Sequence, residues 1–304
     1  MKTLVVGHVT HDRYEGGIVA GGCAYYGARV HDQLQGQTKL VTVVGEDFEC
    51  DDAIAGLDRR VERSGQTTVF ANYYPAGQPR IQLLEARAPA VQPGSVDPAW
   101  LDAELVHLAP VCREIDLERW LEAVGDGLVA INVQGWLKKA GETVDPDQLE
   151  SIQRRGVTRK VPRVVEEPWD VDGQLLKQVD IACLSEEDLR QQDDLLERLI
   201  ESVPVVALTR GKQGSRIYVE GDPTDVGIVA TESVDPTGAG DVFAAAFSHA
   251  VAGGRSPVAA AQRAAAASSL VIEDIGAAGL RRFDELEERT ERVRRPSGIP
   301  VDHR

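Results

Sequence analysis

The residues best placed to do chemistry lie in one run, Val234-Asp235-Pro236-Thr237-Gly238-Ala239-Gly240-Asp241-Val242-Phe243-Ala244-Ala245-Ala246-Phe247. Pro236 ends any strand before it, and Gly238 and Gly240 free the backbone for conformations other residues resist. Asp241 then opens a helix. Val242, Phe243, Ala246, Phe247 and Ala250 fall on one face of it, and Gly253-Gly254 stops it. A glycine-rich turn entering a helix offers unpaired N–H groups and the positive end of the helix dipole to an anion. A carboxylate at the same point could take a proton from a hydroxyl while those N–H groups hold developing phosphoryl charge. That combination is phosphoryl transfer to an alcohol. A bare helix cap on a glycine turn would use the same residue types, and a lone G-x-G does not separate the two.

Such a turn needs a scaffold, and the chain supplies the pattern for one. Short continuous apolar runs at residues 3–7, 40–44, 105–108, 128–133, 179–184 and 203–209 read as strands buried on both faces. Helical patterns separate them at 24–34, 117–124, 146–155 and 186–201. Strand alternating with helix predicts an α/β fold, a doubly wound, mainly parallel sheet with right-handed crossovers. Two segments break the rhythm. Residues 13–20 and about 67–87, the latter a hairpin turning at Pro75-Ala76-Gly77-Gln78-Pro79, predict a small β-sheet lid or an ordinary edge hairpin. Two alanine-rich helices are expected at 241–252 and 257–273, then a charged helix and loose tail over about 283–304. With no repeat and no low-complexity linker, residues 1–304 are expected to form one domain with the lid inserted.

Composition narrows the function classes. Across 304 residues, 33 Lys+Arg against 49 Asp+Glu give a formal net charge of −16. That surplus argues against nucleic-acid and polybasic membrane partners, which need a basic face. It leaves phosphate ligands open, because backbone N–H groups bind them without basic side chains. Cys23, Cys50, Cys112 and Cys183 form no C-x-x-C pair, which fits neither a disulfide framework nor a zinc site. With no signal-peptide pattern and no apolar stretch near the ~18 residues of a spanning helix, a cytoplasmic protein is expected. There is no G-x-x-x-x-G-K-[S/T], dinucleotide fingerprint or G-x-S-x-G. His8 and His11 lack a third ligand at metal spacing, and Lys138-Lys139 and Arg154-Arg155 read as solvated helix-end cations.

The whole run Asp235–Asp241 resembles the signature of the PfkB/ribokinase family of carbohydrate kinases. That resemblance implies Asp241 as catalytic base and Gly238, Ala239 and Gly240 as the anion hole. Asp12, after the first strand, matches the family's hydroxyl-binding Asp, with Thr10 where Asn is common. Gly21 and Gly22 match the N-terminal glycine pair that lets backbone approach the sugar, and Tyr26 stands where an Asn is usual. Val44-Gly45-Glu46-Asp47-Phe48 resembles the next family block. Thr209, Gly211 and Gly214 fit the nucleotide-binding Thr-x-Gly-x-x-Gly, against a plain β-turn. The family's Asn-x-x-Glu falls at Ser185-Glu186-Glu187-Asp188, so Asp188 would be the metal-side carboxylate, or Ser185 a simple helix cap.

The resemblance runs from the N-terminus to about Gly279. It implies a ribokinase-like fold, ATP and Mg²⁺ as cofactors with monovalent-cation dependence open, and a small sugar, polyol or nucleoside acceptor. It also implies a lid that closes over the acceptor and often mediates homodimerisation. Gly7–Asp12, the Gly-Gly-x-x-Tyr-Tyr run and Asn132-Val133-Gln134-Gly135-Trp136 are similar to members acting on myo-inositol. Two alternatives stand beside a polyol kinase: a nucleoside kinase of the same family, and a non-catalytic ligand-binding relative with a regulatory role.

Overall fold

The computed structural model describes residues 1–14, 17–73, 81–145, 157, 159–192 and 194–293. Among them, nine strands form one sheet in the order Asp222–Val226, Ser215–Val219, Val205–Thr209, Ile181–Ser185, Leu128–Asn132, Leu105–Leu108, Lys2–Val6, Gln37–Val44, Asp58–Arg63. Pairing is parallel from Asp58–Arg63 through Val205–Thr209, and the two strands beyond are antiparallel.

The apolar runs are continuous because both faces are covered. Within the first strand Val5 enters one core while Leu4 and Val6 enter the other. The Val5 side packs under the helices Cys23–Gln33, Ala239–Ala252 and Pro257–Ile272. The opposite side is filled by Trp120, Leu176, Leu195 and Leu199. Alanines carry the contact between the two long helices: Ala245, Ala246, Ala260, Ala261 and Ala264 are all fully buried. Small side chains bring the helix axes close and leave no bulk to displace.

The strand order reverses beside Lys2–Val6, with Gln37–Val44 on one flank and Leu105–Leu108 on the other. In such sheets the crevice for a ligand opens at the carboxyl ends of the strands. The exit of the first strand is held by Glu114, fully buried, whose carboxylate accepts backbone N–H bonds from His8 (3.1 Å), Val111 (2.8 Å) and Cys112 (2.8 Å). Burial lowers the His8 pKa, so the imidazole beside this carboxylate is neutral.

Six strands make a second sheet, ordered Lys138–Val144, Val161–Glu166, Ile81–Ala86, Val69–Tyr73, Thr10–Tyr14, Gly17–Gly21. The segments at 13–20 and 67–87 thus do form a separate small sheet, joined by two strands that the sequence pattern did not disclose. The hairpin turn at 75–79, the helix expected at 146–155 and the tail from 294 fall outside the described residues.

Two helices differ from expectation. The 186–201 pattern is helical only over Leu195–Ser202, because residues 186–191 turn on themselves. The 283–294 pattern is a 3₁₀ stretch, Ala278–Glu285, followed by the short α-helix Leu286–Glu291. The four cysteines are free, and among the described residues no helix is long and apolar enough to cross a membrane.

Candidate active site

The Ala239–Ala252 helix begins where the glycine turn predicted it would. Gly238 is its N-cap in the left-handed region, φ 80°. A Cβ there would lie 2.5 Å from Cζ of Tyr26, whose ring is buried beneath the turn. The turn is tied from both sides. Asp235 Oδ1 accepts from the Thr237 N–H (2.9 Å) and Oδ2 from the Gly276 N–H (3.2 Å). Ser268 Oγ donates to the Ala239 carbonyl at 2.9 Å. The Ala239 N–H donates to the Pro236 carbonyl at 3.2 Å, so the turn that lines the cleft has its backbone already fixed.

Asp241 stands in that first turn. Its Oδ1 accepts from Asn132 Nδ2 (3.4 Å), at the carboxyl end of Leu128–Asn132, and from Gln134 Nε2 (3.2 Å). Gln134 also reaches Cys23 Sγ at 2.8 Å and accepts from Lys138 Nζ at 3.0 Å. Burial, followed by the Asp241 carboxylate, raises the Cys23 thiol well above its ordinary pKa, so it is a neutral neighbour.

Across the cleft, Asp12 is buried on Thr10–Tyr14 and accepts from Thr10 Oγ1 at 2.9 Å. Gly21 explains itself here: a Cβ would stand 2.4 Å from the Asp12 carboxyl carbon. Gly22 has φ 93° and caps the Cys23–Gln33 helix, with the His8 carbonyl 2.5 Å from where a Cβ would be. Gly22 lines the cleft, whereas Gly21 serves to admit Asp12.

The residues expected from sequence to border a nucleotide or metal divide in the same way. Thr209, Arg210 and Gly211 line the cleft at the end of Val205–Thr209. Gly214 lies off it, closing the turn with φ 88° against the Val226 carbonyl. Asp188 lines the cleft beside Glu186 and Glu187, but its Oδ2 is held by Ser185 N–H (2.7 Å) and Oγ (2.8 Å). Ser185 thus closes a local turn with Asp188 and caps no helix, since the helix begins only at Leu195. Among the described residues Asp188 Oδ1 accepts no hydrogen bond and remains for another ligand. Glu166, nearby, has its pKa raised by burial first and by Asp188 second.

Together these groups enclose a cleft of about 940 Å³. Its lining includes residues the sequence did not single out for this role. Phe70, Asn72 and Gln82 come from the second sheet, with Gln82 Nε2 donating to Asn72 Oδ1 at 3.0 Å. Lys138, read from sequence as a solvated helix-end cation, is half-buried in the cleft wall because a strand starts at it. Arg190 and Arg210 join it there, the latter braced by Asp225 at 2.7 Å. Pro236, Thr237, Gly238, Ala239, Gly240 and Asp241 all lie on the opposing wall.

Residues 135–281, which contain this turn and helix, match the pfkB family of carbohydrate kinases. The matched stretch is just under half of the chain. Among curated relatives, an inositol 3-kinase of Arabidopsis thaliana is 25% identical over 254 residues, covering 80% of this chain and 65% of the relative. The chain thus spans just under two thirds of that relative's length. The fold of this chain is ribokinase-like. A pyrophosphate-dependent kinase in the ribokinase family superposes with a TM-score of 0.74 at 21% identity, over 96% of this chain and 100% of the other. Ribokinase of Arabidopsis thaliana, solved with ribose and ATP, superposes with a TM-score of 0.68 at 20% identity, over 95% and 98%.

Proposed function

We propose that this chain is a kinase that transfers the terminal phosphoryl group of ATP to a hydroxyl of a small polyol or sugar, with myo-inositol the leading acceptor. The observation that carries the reading is the convergence of Asp241, the fixed Gly238–Gly240 turn and Asp12 on one cleft. Asp12, Asn72 and Gln82 would bind acceptor hydroxyls, with Gly22 letting the ring approach the backbone. A cluster of side-chain acceptors and amides suits a ligand that carries a hydroxyl on every face. The inositol 3-kinase relative supports the choice of polyol.

In the transfer, Asp241 takes the proton of the attacking hydroxyl as the new O–P bond forms and the bond to the leaving ADP breaks. The proton leaves Asp241 to solvent after product release. The Gly238 and Gly240 N–H groups hold the charge on the passing phosphoryl group, with Ala239, whose N–H donates to the Pro236 carbonyl, shaping the turn between them, and Lys138, one helical turn from Gln134, adds a positive charge. Thr209 and Gly211 would border the nucleotide, with Gly214 shaping their turn. Hard carboxylate oxygens suit Mg²⁺, which takes few protein ligands beside phosphates and water. Asp188 Oδ1, with Glu187, would hold it, and bound Mg²⁺ supplies charge neutralisation for the donor phosphates. The second sheet would act as lid over the acceptor, and its outer face as a homodimer surface. Free cysteines and the absence of a spanning helix in the described residues fit a cytoplasmic setting.

One observation favours a second donor. Lys138, Arg190 and Arg210 all line the cleft, more cation than a nucleotide with bound Mg²⁺ demands, and inorganic pyrophosphate would draw on them. The pyrophosphate-dependent kinase of the same fold makes that donor worth testing. The experiment is a product-release assay with ATP or pyrophosphate against myo-inositol, ribose, fructose and adenosine. Turnover with myo-inositol is expected. Turnover only with adenosine would make it a nucleoside kinase. Silence throughout, with no donor binding, would leave a non-catalytic relative.

A further inference from the structure

Three histidines far apart in the chain meet in the core behind the proposed base. His31 lies in the Cys23–Gln33 helix, His107 in the Leu105–Leu108 strand and His249 in the Ala239–Ala252 helix. His31 is fully buried and His107 is 1% exposed. His249 Nδ1 and His31 Nδ1 are 3.1 Å apart, His31 Nε2 and His107 Nδ1 3.1 Å, and His107 Nε2 and Asn132 Oδ1 2.9 Å. Asn132 Nδ2 then reaches Asp241 Oδ1 at 3.4 Å. The circuit leaves the Ala239–Ala252 helix at His249 and returns to the same helix at Asp241.

Hydrogen-bond logic fixes every proton in this circuit. A carboxylate only accepts, so the Asn132 NH₂ faces Asp241 and its oxygen faces His107. His107 must therefore donate from Nε2. A neutral imidazole carries one N–H, so His107 Nδ1 accepts from His31 Nε2–H, and His31 Nδ1 accepts from His249 Nδ1–H. Burial holds all three rings neutral, His107 and His249 at about 4 and His31 well below its ordinary value. Arg263 and the N-terminal amine, which face His249, push in the same direction.

We propose that His107, oriented by His31 and His249, is a positioning residue that locks the Asn132 amide with its NH₂ toward Asp241. The proposal deepens the assignment of Asp241 as base and rests on it. Without His107, the Asn132 side chain is free to rotate by half a turn and present its oxygen to the carboxylate. Losing one N–H donor costs the charged carboxylate about tenfold, which raises its pKa by roughly one unit. Other groups around Asp241 include Gln134, Cys23, Tyr26 and, through Gln134, Lys138. None of them is changed by a substitution at position 107.

Two measurements test this. The first is a long-range ¹H–¹⁵N spectrum of the uniformly labelled wild-type protein at neutral pH. It should show Nε2–H tautomers for His107 and His31 and an Nδ1–H tautomer for His249. An Nδ1–H tautomer at His107 overturns the proposal, whether or not the protein turns out to be a kinase and whether or not any variant folds. The second is the pH profile of kcat for His107→Leu and His107→Gln, with folding checked by circular dichroism. His107→Leu should lose about tenfold in kcat with acceptor KM within about twofold, and its acid limb should move up by roughly one unit. His107→Gln, which keeps a donor and an acceptor, should recover most of both. A folded His107→Leu with wild-type kcat and profile overturns the proposal. Wild-type silence in the kinetic assay would instead count against the kinase reading.

Discussion

Replacing each of the two glycines of the Gly238–Asp241 turn by alanine should separate folding from chemistry. At Gly238 the added Cβ meets a left-handed backbone, φ 80°, and a buried tyrosine ring 2.5 Å away. Holding a non-glycine residue in that region costs about 1–3 kcal/mol. Forcing a methyl into a packed wall costs about 1–3 kcal/mol more. Gly238→Ala should therefore lose about 2–6 kcal/mol, a large share of the ~5–15 kcal/mol that holds a typical domain together. Gly240 is the opposite case. It has no positive φ, nothing lies within 4 Å of its would-be Cβ, and it lines the cleft. Alanine is the better helix former by up to about 1 kcal/mol, so Gly240→Ala should fold as well as wild type or slightly better. Its methyl, however, would stand beside the N–H groups proposed to hold the phosphoryl group, and turnover should fall by about tenfold or more. Urea unfolding followed by tryptophan fluorescence, alongside the transfer assay, reads both. A Gly238→Ala protein as stable as wild type would refute the packing argument, and a Gly240→Ala enzyme with wild-type kcat and donor KM would refute the anion hole.

Three further outcomes follow from the same coordinates. Because burial lowers the His107 pKa from 6.5 to about 4, the unfolded chain binds the extra proton between those values. Its contribution to stability is complete above pH 6.5 and is lost on the way down to pH 4, worth about 3 kcal/mol for this ring; denaturant midpoints at pH 7.5, 5.5 and 4.5 should fall in that order. Glu114→Ala leaves three buried backbone N–H groups without their acceptor and should cost about 3 kcal/mol or more by urea unfolding. Asp12→Ala should raise acceptor KM by about tenfold or more while donor KM stays within about twofold in initial-rate kinetics.

The parts of the fold legible in the sequence were those whose pattern has one physical reading. Continuous apolar runs such as Val205–Thr209 have to be covered on both faces, and the structure covers them. The strands Lys138–Val144 and Val161–Glu166 were not legible. The first is largely polar and only half-buried, and the second carries Pro162, which weakens a strand pattern. The pattern at 186–201 looks helical by spacing, but Ser185 and Asp188 bond to each other and turn the backbone first. In the site, the glycine turn and Asp241 could be read because they are contiguous. Asn72, Gln82 and Lys138 reach the cleft through sheet pairing, which leaves no local signature. The histidine circuit is the extreme case: its contacts span 76 and 218 positions of sequence, and no spacing rule joins them.

The central claim is that Asp241 is the base of a phosphoryl transfer, and Asp241→Asn tests it most directly. The amide has nearly the same shape and still fits among Asn132, Gln134 and Cys23, so the variant should fold and bind donor and acceptor. With the acceptor identified in the panel above, single-turnover transfer from the bound donor should fall by about 10²–10⁴-fold, the usual share of a general base. A folded Asp241→Asn protein that phosphorylates its acceptor at near the wild-type rate would contradict the account.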